Sequence, residues 1–180
     1  MRIEKEMSGN RIRIRNYEKS DLDFVTEMWL DEVNGKYLSD PTVDHVDAAF
    51  QKAMDSLSDS QYGYYLIIEH NETGTRIGSF SIFPDEDGKV YDIGYCIHRD
   101  YWHNGYGSEA LALMLGWMKD RGAEKVTAEV AIQNEASNAL LRKFGFEIQT
   151  EASFEKYNMG IHYDSLIYAK TLWYEERMKW

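Results

Sequence analysis

The spacing of apolar side chains changes repeatedly between the period of a strand and that of a helix. Residues 11–16 alternate charged and apolar side chains, which predicts a half-exposed strand. Residues 22–30 carry apolar side chains near helical spacing, and Ser20 with Asp23 resembles a capping box at the start of this helix. A second helix is expected after Pro41. Its apolar stripe is formed by Val43, Val46, Phe50, Met54 and Leu57.

Three strand-like runs follow these helices, over residues 62–69, 76–83 and 90–98. The first two are joined by residues 71–74, whose Asn, Glu, Thr and Gly suit a tight reversal. A turn over residues 84–88 leads into the third run. We therefore expect three consecutive strands in an antiparallel meander.

The second half of the chain alternates helix and strand. Residues 107–121 repeat apolar side chains at helical spacing, and Gly122 stands where a left-handed C-terminal cap is expected. The remaining elements are a strand over 125–132, a short helix over 136–144, and strands over 146–154 and 163–171. This order predicts an α+β fold.

Length and composition predict a single domain over residues 1–180, since 43% of the residues are hydrophobic. The chain has no run near the roughly 18 apolar residues of a membrane helix. The polar residues 1–10 lack the apolar middle of a secretory signal, so we expect a cytoplasmic protein without a membrane partner. One cysteine and dispersed histidines give no metal-ligand spacing, so no metal is expected. The formal charge of -11 disfavours nucleic acid and suits a cationic partner, although many proteins are acidic without such a role.

A glycine-bearing loop between a predicted strand and a predicted helix carries the clearest chemistry. It spans residues 98–109 and contains Gly105 and Gly107. The first turn of a helix presents unpaired N–H groups, and glycines let an anion approach the backbone, so this loop suits a pyrophosphate. The glycine pair alone is weak evidence, because such pairs also occur in ordinary turns. The chain matches neither a P-loop nor a dinucleotide-binding G-x-G-x-x-G after its first strand.

A second motif beyond this loop points to a family. Together the two segments show Tyr101, Trp102, Gly105, Tyr106, Gly107, Glu109 and Ala110, then Asn134, Ser137, Lys143, Gly145 and Phe146. The pattern resembles the GCN5-related N-acetyltransferase (GNAT) superfamily, in particular its branch of ribosomal-protein N-terminal and related small-molecule acetyltransferases. One departure is Trp102, where the wider superfamily often has Gln or Arg. The resemblance implies a mixed, mostly antiparallel central sheet of about six to seven strands with four helices on both faces.

The resemblance also implies an activity and a coenzyme site. The implied reaction transfers an acetyl group from acetyl-coenzyme A to a primary amine by direct attack, the acceptor being a protein N-terminal α-amine or a small cationic amine. The loop amides would bind the coenzyme pyrophosphate, and two asparagines its pantetheine or ribose. The implied coenzyme-binding residues are Cys96, Ile97, Trp102, His103, Asn104, Gly105, Tyr106, Gly107, Ser108, Asn134 and Asn138.

Two side chains are candidates for catalysis. Asp92 precedes the loop on its strand, where many relatives place a carboxylate, and we interpret it as the general base, with Glu69 in reserve. A merely solvated strand carboxylate is an equal alternative for Asp92. Many relatives have a proton-donating tyrosine at the position of Leu141, which this chain lacks. In the branch that the chain resembles, the serine of the Asn-x-x-Ser motif is proposed near the coenzyme sulfur, which implies this role for Ser137. A hydroxyl that caps a helix is the alternative for Ser137. The family supplies the oxyanion donor from a backbone N–H, here within residues 93–97.

Further alternatives stay open. Cys96 and His98 would share one face of an ideal strand, so a cysteine nucleophile with a histidine base is conceivable unless a bulge near Gly94 changes the parity. The loss of the usual tyrosine at Leu141 also fits a non-catalytic acyl-coenzyme-A-binding module. His162 is expected near the acceptor without a catalytic role. Aromatic residues near the C-terminus either line an acceptor cleft or, as we favour, form core or homodimer contacts. They are Tyr157, Tyr163, Tyr168, Trp173 and Tyr174.

Overall fold

The computed structural model describes residues 1–172 as a sheet of eight strands flanked by four α-helices. The strands are β1 (Met7–Ser8), β2 (Ile12–Asn16), β3 (Tyr64–His70), β4 (Arg76–Pro84), β5 (Val90–Ile97), β6 (Lys125–Ala131), β7 (Glu147–Glu155) and β8 (His162–Thr171). The helices are α1 (Leu22–Leu30), α2 (Ala48–Asp55), α3 (Tyr106–Asp120) and α4 (Glu135–Lys143). Across the sheet the order is β1-β2-β3-β4-β5-β6-β8-β7.

The predicted mixed, mostly antiparallel α+β fold is confirmed. Among the described residues, β5 and β6 form the one parallel pair, and the other neighbouring strands run antiparallel. The sheet has eight strands rather than six to seven, because Met7–Ser8 adds a short edge strand beside β2. The predicted meander is β3, β4 and β5. Its first turn is closed by bonds from the His70 N–H to the Thr75 carbonyl and from the Gly74 N–H to the His70 carbonyl, both 2.9 Å.

Helix α1 spans the predicted residues but has a different cap, and α2 begins later than predicted. A 3-10 turn, Lys19–Asp21, precedes α1, and the carboxylate that accepts the Glu18 N–H at 2.8 Å belongs to Asp21. The predicted capping box of Ser20 and Asp23 is therefore wrong. Helix α2 begins only at Ala48, because the Asp47 side chain caps it by accepting the Phe50 N–H at 2.8 Å. Val43 and Val46 consequently lie outside the helix.

The helices cover both faces of the sheet. Leu66 and Ile68 of β3 pack into a large core with α3 and α4, whereas Ile67 between them packs into a smaller core with α1 and α2. This division follows from the alternation of side chains along a strand. Within residues 1–172, none of the helices combines the length and apolar character that crossing a bilayer requires.

The centre of the sheet opens where its two parallel strands separate. Strand β5 pairs with β6 only through Val90–Asp92 against Lys125–Thr127, although both strands continue beyond this point. On its other side β5 stays in register with β4 from Tyr91 to Ile97 without a bulge. Residues 93–97 therefore form a strand edge without a β6 partner, beside the N-terminal ends of α3 and α4.

Candidate active site

A cavity of about 880 Å³ lies against this open edge of β5, at the beginnings of α3 and α4. Most of the predicted coenzyme-binding residues line it. They are Cys96, Ile97, Trp102, His103, Gly105, Tyr106, Gly107, Ser108 and Asn134. The predicted catalytic Ser137 lines the same cavity.

The loop at the start of α3 presents unpaired backbone donors to the cavity. Within the described part of the chain, no backbone N–H of residues 103–108 donates a hydrogen bond to a protein acceptor. The backbone is left-handed at His103 (φ 60°) and at Gly105 (φ 77°), the N-cap of α3. Glycine adopts this conformation without the steric cost that a side chain imposes. The loop is thus an open set of N–H groups at the positive end of a helix dipole, which favours an anion.

A second cavity, of about 450 Å³, lies on the other side of β5, between the sheet and helices α1 and α2. Three carboxylate side chains line it, those of Asp40, Asp92 and Glu129, and its lining contains no lysine, arginine or histidine. Its walls are otherwise rich in aromatic rings. These belong to Trp29, Tyr37, Phe50, Tyr65, Phe83, Tyr95 and Phe154. The cavity therefore favours a cation with apolar segments.

The two cavities meet at β5. Four residues line both of them, namely Tyr37, Leu38, Tyr95 and Cys96. One cavity offers backbone donors for an anion, and the other offers carboxylates for a cation. A molecule in each would therefore face the other across the wall formed by Tyr95 and its neighbours.

The family model described as an acetyltransferase (GNAT) domain matches residues 11–147. The chain belongs to this GNAT acetyltransferase family. It is 24% identical over 167 residues to the uncharacterized N-acetyltransferase YoaA of Bacillus subtilis, covering 91% of this chain and 94% of YoaA. It is 27% identical over 143 residues to the uncharacterized N-acetyltransferase p20 of Bacillus licheniformis, covering 76% of this chain and 79% of p20.

Solved acetyltransferases share the fold of this GNAT protein. One, from Salmonella typhimurium, modifies the N-terminal serine of the ribosomal protein L7/L12 and superposes with a TM-score of 0.77 at 18% identity, covering 93% of this chain and 99% of that one. The RimL alpha-N-protein acetyltransferase in complex with coenzyme A superposes equally well, with a TM-score of 0.77 at 18% identity, covering 93% of this chain and 98% of that one. The protein is thus an acetyl-coenzyme-A-dependent N-acetyltransferase, with acetyl-coenzyme A as its co-substrate.

The larger cavity of the acetyltransferase fits a coenzyme A diphosphate. The unpaired N–H groups of residues 103–108 supply donors, and Lys143 of α4 lies at the same end of the cavity, with its Nζ 3.4 Å from the Ser108 Oγ. Lys143 belongs to the second sequence motif, but nothing in the sequence placed it beside Ser108. The opening between β5 and β6 leads from this loop toward the smaller cavity.

Arg11 fixes the conformation of the loop at the start of α3, a role that the sequence did not indicate. Its Nη1 donates to the Asn104 carbonyl at 2.8 Å, its Nε pairs with the Glu109 Oε2 at 2.9 Å, and its guanidinium lies over the Tyr106 ring at 4.7 Å. Partial burial acts to raise the pKa of Glu109, but the bonds from Arg11 outweigh it and hold this pKa below its ordinary value. Arg11 and Glu109 are 98 residues apart, so no local pattern indicates their contact.

Two predicted coenzyme contacts are not brought into the cavity. The buried Asn138 donates from Nδ2 to the carbonyls of Ala131, Ile132 and Asn134, and its Oδ1 accepts from the Tyr168 hydroxyl at 2.8 Å. These bonds join α4 to the sheet and leave the Asn138 amide no free donor for the coenzyme. The Asn104 side chain turns back to the carbonyls of Tyr101 and Trp102 and likewise does not line the cavity.

Ser137 is free for a role other than capping. The N-cap of α4 is Asn134, whose Oδ1 accepts the Ser137 N–H at 3.2 Å. The Ser137 hydroxyl is therefore not used as the cap and lines the larger cavity. Its proposed place near the coenzyme sulfur stays a prediction.

The structure disfavours a cysteine nucleophile. Burial raises the pKa of Cys96 to about 12, and its sulfur accepts from the Asn34 Nδ2 at 2.9 Å. The Nδ1 of His98 accepts from the Asp100 N–H at 3.3 Å and does not contact Cys96. A thiol that stays protonated is a poor nucleophile, and it lacks the histidine base that would activate it.

Of the two candidate bases, only Asp92 lies at a cavity. Its Oδ1 accepts from the Thr127 hydroxyl at 2.7 Å. The carboxylate contacts water at the cavity, but neighbouring protein atoms limit its hydration. This partial desolvation, together with the charge of Glu129, raises the pKa of Asp92 above its ordinary value despite the bond from Thr127. Glu69, the reserve base, lies in neither cavity and is bound by Arg13 and Arg15.

The predicted aromatic group divides between core and surface contacts. Tyr168 is fully buried in the larger core, and Tyr163 packs edge-on against Tyr37 at 5.6 Å. Tyr157 contacts Phe50 at 5.4 Å, so it supports a ring of the smaller cavity without lining it. The Nε2 of His162, at the start of β8, lies 3.8 Å from the Glu155 Oε2. Trp173 and Tyr174 lie outside the described residues.

Proposed function

We propose that the protein transfers the acetyl group of acetyl-coenzyme A directly to a small cationic primary amine bound in the smaller cavity. The observation that carries this proposal is the arrangement of Asp40, Asp92 and Glu129 around a cavity lined by no basic side chain, across β5 from the coenzyme cavity. Opposite charges attract more strongly in such a partly desolvated site than in water.

The size and walls of the smaller cavity favour a flexible amine. A volume of about 450 Å³ accommodates a short aliphatic chain with its charged ends. Aromatic faces such as those of Trp29 and Tyr65 favour both the methylene groups and a neighbouring ammonium. A diamine would place one ammonium at the carboxylates while its other nitrogen reaches the junction at Tyr95.

Asp92 is proposed to take the proton from the attacking nitrogen, directly or through a water. A protonated amine has no free electron pair, so it must lose a proton before attack. The carboxylates attract the ammonium but also favour its protonated form. The raised pKa of Asp92 makes this group a stronger base than an ordinary carboxylate, which partly offsets that effect.

The open edge of β5 is proposed to receive the acetyl carbonyl. Beyond Asp92 the strand has lost its β6 partner, so backbone groups of residues 93–97 face the opening. A backbone N–H there would stabilise the oxyanion that forms when the nitrogen attacks. Ser137 lies across the opening, at the start of α4.

A thiol-release assay tests the acceptor class. Linear α,ω-diamines, monoamines of equal chain length and a peptide with a free N-terminus are compared at saturating acetyl-coenzyme A. We expect kcat/KM for a diamine to exceed that of the matched monoamine by about tenfold, as one charge-assisted hydrogen bond provides. Glu129→Gln should remove most of this preference without changing the KM for acetyl-coenzyme A, and Asp92→Asn should lower kcat by about 10²-fold or more.

Glu147→Gln is the matched control, because Glu147 is an exposed carboxylate that lines neither cavity. A peptide that reacts faster than every diamine would contradict the cationic small-amine assignment. Tight binding of coenzyme A without turnover of any amine would support the alternative of a non-catalytic binding module.

A further inference from the structure

The hydroxyl of Tyr95 is a buried polar group whose role the fold does not explain. Its oxygen is sealed from solvent and has no hydrogen-bond partner among the described residues. Buried hydroxyls are nearly always paired, because an unpaired one loses its bond to water on folding. The other such atom, the Ser58 Oγ, lies at neither cavity.

Tyr95 stands where the two cavities join. It lies on β5 beyond the last residue paired with β6, and it lines both cavities. Its ring stacks on Phe80, with centroids 5.9 Å apart and planes at 28°, so the hydroxyl is held in a fixed direction. The Ser137 side chain is its polar neighbour, near enough to influence its pKa but outside hydrogen-bond geometry.

A donor is needed at this junction, and Ser137 carries the only side-chain hydroxyl of α4. Leu141 is fully buried in the large core and carries no hydroxyl. We propose that the Tyr95 hydroxyl donates the hydrogen bond that stabilises the coenzyme A thiolate as it leaves. This inference rests on the proposed acetyl transfer across the junction of the two cavities.

The chemistry balances with Tyr95 keeping its proton. The amine nitrogen forms its bond to the acetyl carbon, the carbon–sulfur bond breaks, and its electron pair stays on sulfur. The ammonium loses two protons in all. Asp92 takes the first before attack and releases it to water through the cavity, and it then takes the second from the attacking nitrogen; water protonates the thiolate after release. Burial raises the pKa of Tyr95 to about 12, against a smaller lowering by Ser137, whereas an ordinary thiol has a pKa of about 8.5. The phenol therefore remains a donor while the thiolate is present.

The test is the ionisation of coenzyme A bound to the protein, which requires no known acceptor. The ultraviolet absorbance of the thiolate is titrated from about pH 6 to about pH 9, a range that includes the ordinary thiol pKa of about 8.5. Protein without coenzyme A is subtracted, which removes the contribution of Cys96. We expect the pKa of the bound thiol to be about one unit lower in the unmodified protein than in Tyr95→Phe, a tenfold shift toward the thiolate.

The acidic, basic and histidine side chains that line the two cavities act equally in both proteins, so the comparison isolates the hydroxyl. They are Glu32, Lys36, Asp40, Asp92, His103, Glu129 and Glu135. Tyr91→Phe is the matched control, since Tyr91 is a buried tyrosine of the same strand that lines neither cavity. It should leave the thiol pKa unchanged.

The outcomes separate this inference from the proposed function. Equal thiol pKa values in the unmodified protein and Tyr95→Phe, with coenzyme A bound to both, would overturn the role of Tyr95 alone. Absence of coenzyme A binding to the unmodified protein would overturn the coenzyme site and this inference together. With an accepted amine, Tyr95→Phe should lower kcat by about tenfold or more while the KM for acetyl-coenzyme A stays within about twofold. Its thermal stability should not fall, because the lost hydroxyl had no partner.

Discussion

Arg11→Ala should weaken coenzyme A binding without touching the coenzyme cavity itself. The substitution removes the bond to the Asn104 carbonyl, the ion pair with Glu109 and the contact with the Tyr106 ring. Arg11 is not among the residues that line the cavity. We therefore expect the substitution to act on the loop over residues 103–108 by making its conformation less fixed. The N–H groups of this loop must point at one anion at the same time.

The size of the expected change in Kd depends on how exposed the contacts of Arg11 are. A hydrogen bond to a charged group contributes about 1.5–3 kcal/mol, and an exposed ion pair about 0.2–1 kcal/mol. The Arg11 side chain is 46% exposed and that of Glu109 17%, so screening by water reduces the first figure. We expect a loss of about 1–2 kcal/mol, which raises the Kd for coenzyme A by about 5- to 30-fold.

Calorimetric titration of coenzyme A measures this change directly. Arg13→Ala is the matched control, because Arg13 also pairs with a carboxylate, that of Glu69, and has a similar exposure of 40%, but does not contact the loop. Arg13→Ala should leave the Kd unchanged even where it lowers stability. An unchanged Kd in Arg11→Ala, or an equal rise in Kd in both variants, would refute the proposal that Arg11 fixes the coenzyme-binding loop.

Two further predictions concern stability. Burial acts to raise the pKa of Asp21, but its bonds with Arg15 and Arg76 outweigh this and hold it below the ordinary value. Its stabilisation is therefore complete above the unfolded pKa of about 3.9 and is lost as pH falls through the lower folded value. Denaturant titrations should show Asp21→Asn less stable by about 3–5 kcal/mol at neutral pH, with the difference shrinking in acid; a pH-independent difference would contradict this. The buried Lys156 donates to the carbonyls of Gly35, Leu38 and Asp40, so Lys156→Met should lower the free energy of unfolding by about 2–5 kcal/mol in the same titrations. Lys52→Met, at an exposed position of α2, should leave the free energy of unfolding nearly unchanged.

Local signals in the sequence predicted most of the elements. The alternation over residues 11–16 and the apolar stripe of α3 each depend on side chains a few positions apart, and the structure confirms both elements. The start of α2 was placed too early, because Val43 and Val46 continue the apolar stripe of the helix although they lie before its cap. The helix begins only after Asp47, whose side chain caps it.

The part of the candidate site that a single short segment forms could be predicted from the sequence. Gly105 adopts a left-handed conformation and the following helix begins with unpaired N–H groups, and both features are encoded within the loop itself. Asn138 shows the limit of this reasoning. Its motif position suggested a coenzyme contact, but the hydroxyl of Tyr168, 30 residues away, engages its amide in the core.

The sequence by itself determined the kinds of elements, their order and the anion-binding loop, because these depend on neighbours along the chain. The tertiary structure decided where β5 separates from β6 and that Arg11 contacts the anion-binding loop. It also placed Asp40, Asp92 and Glu129 around one cavity and left the Tyr95 hydroxyl without a partner among the described residues. These features arise when distant segments pack together, and burial then changes which polar groups are paired and how readily they ionise.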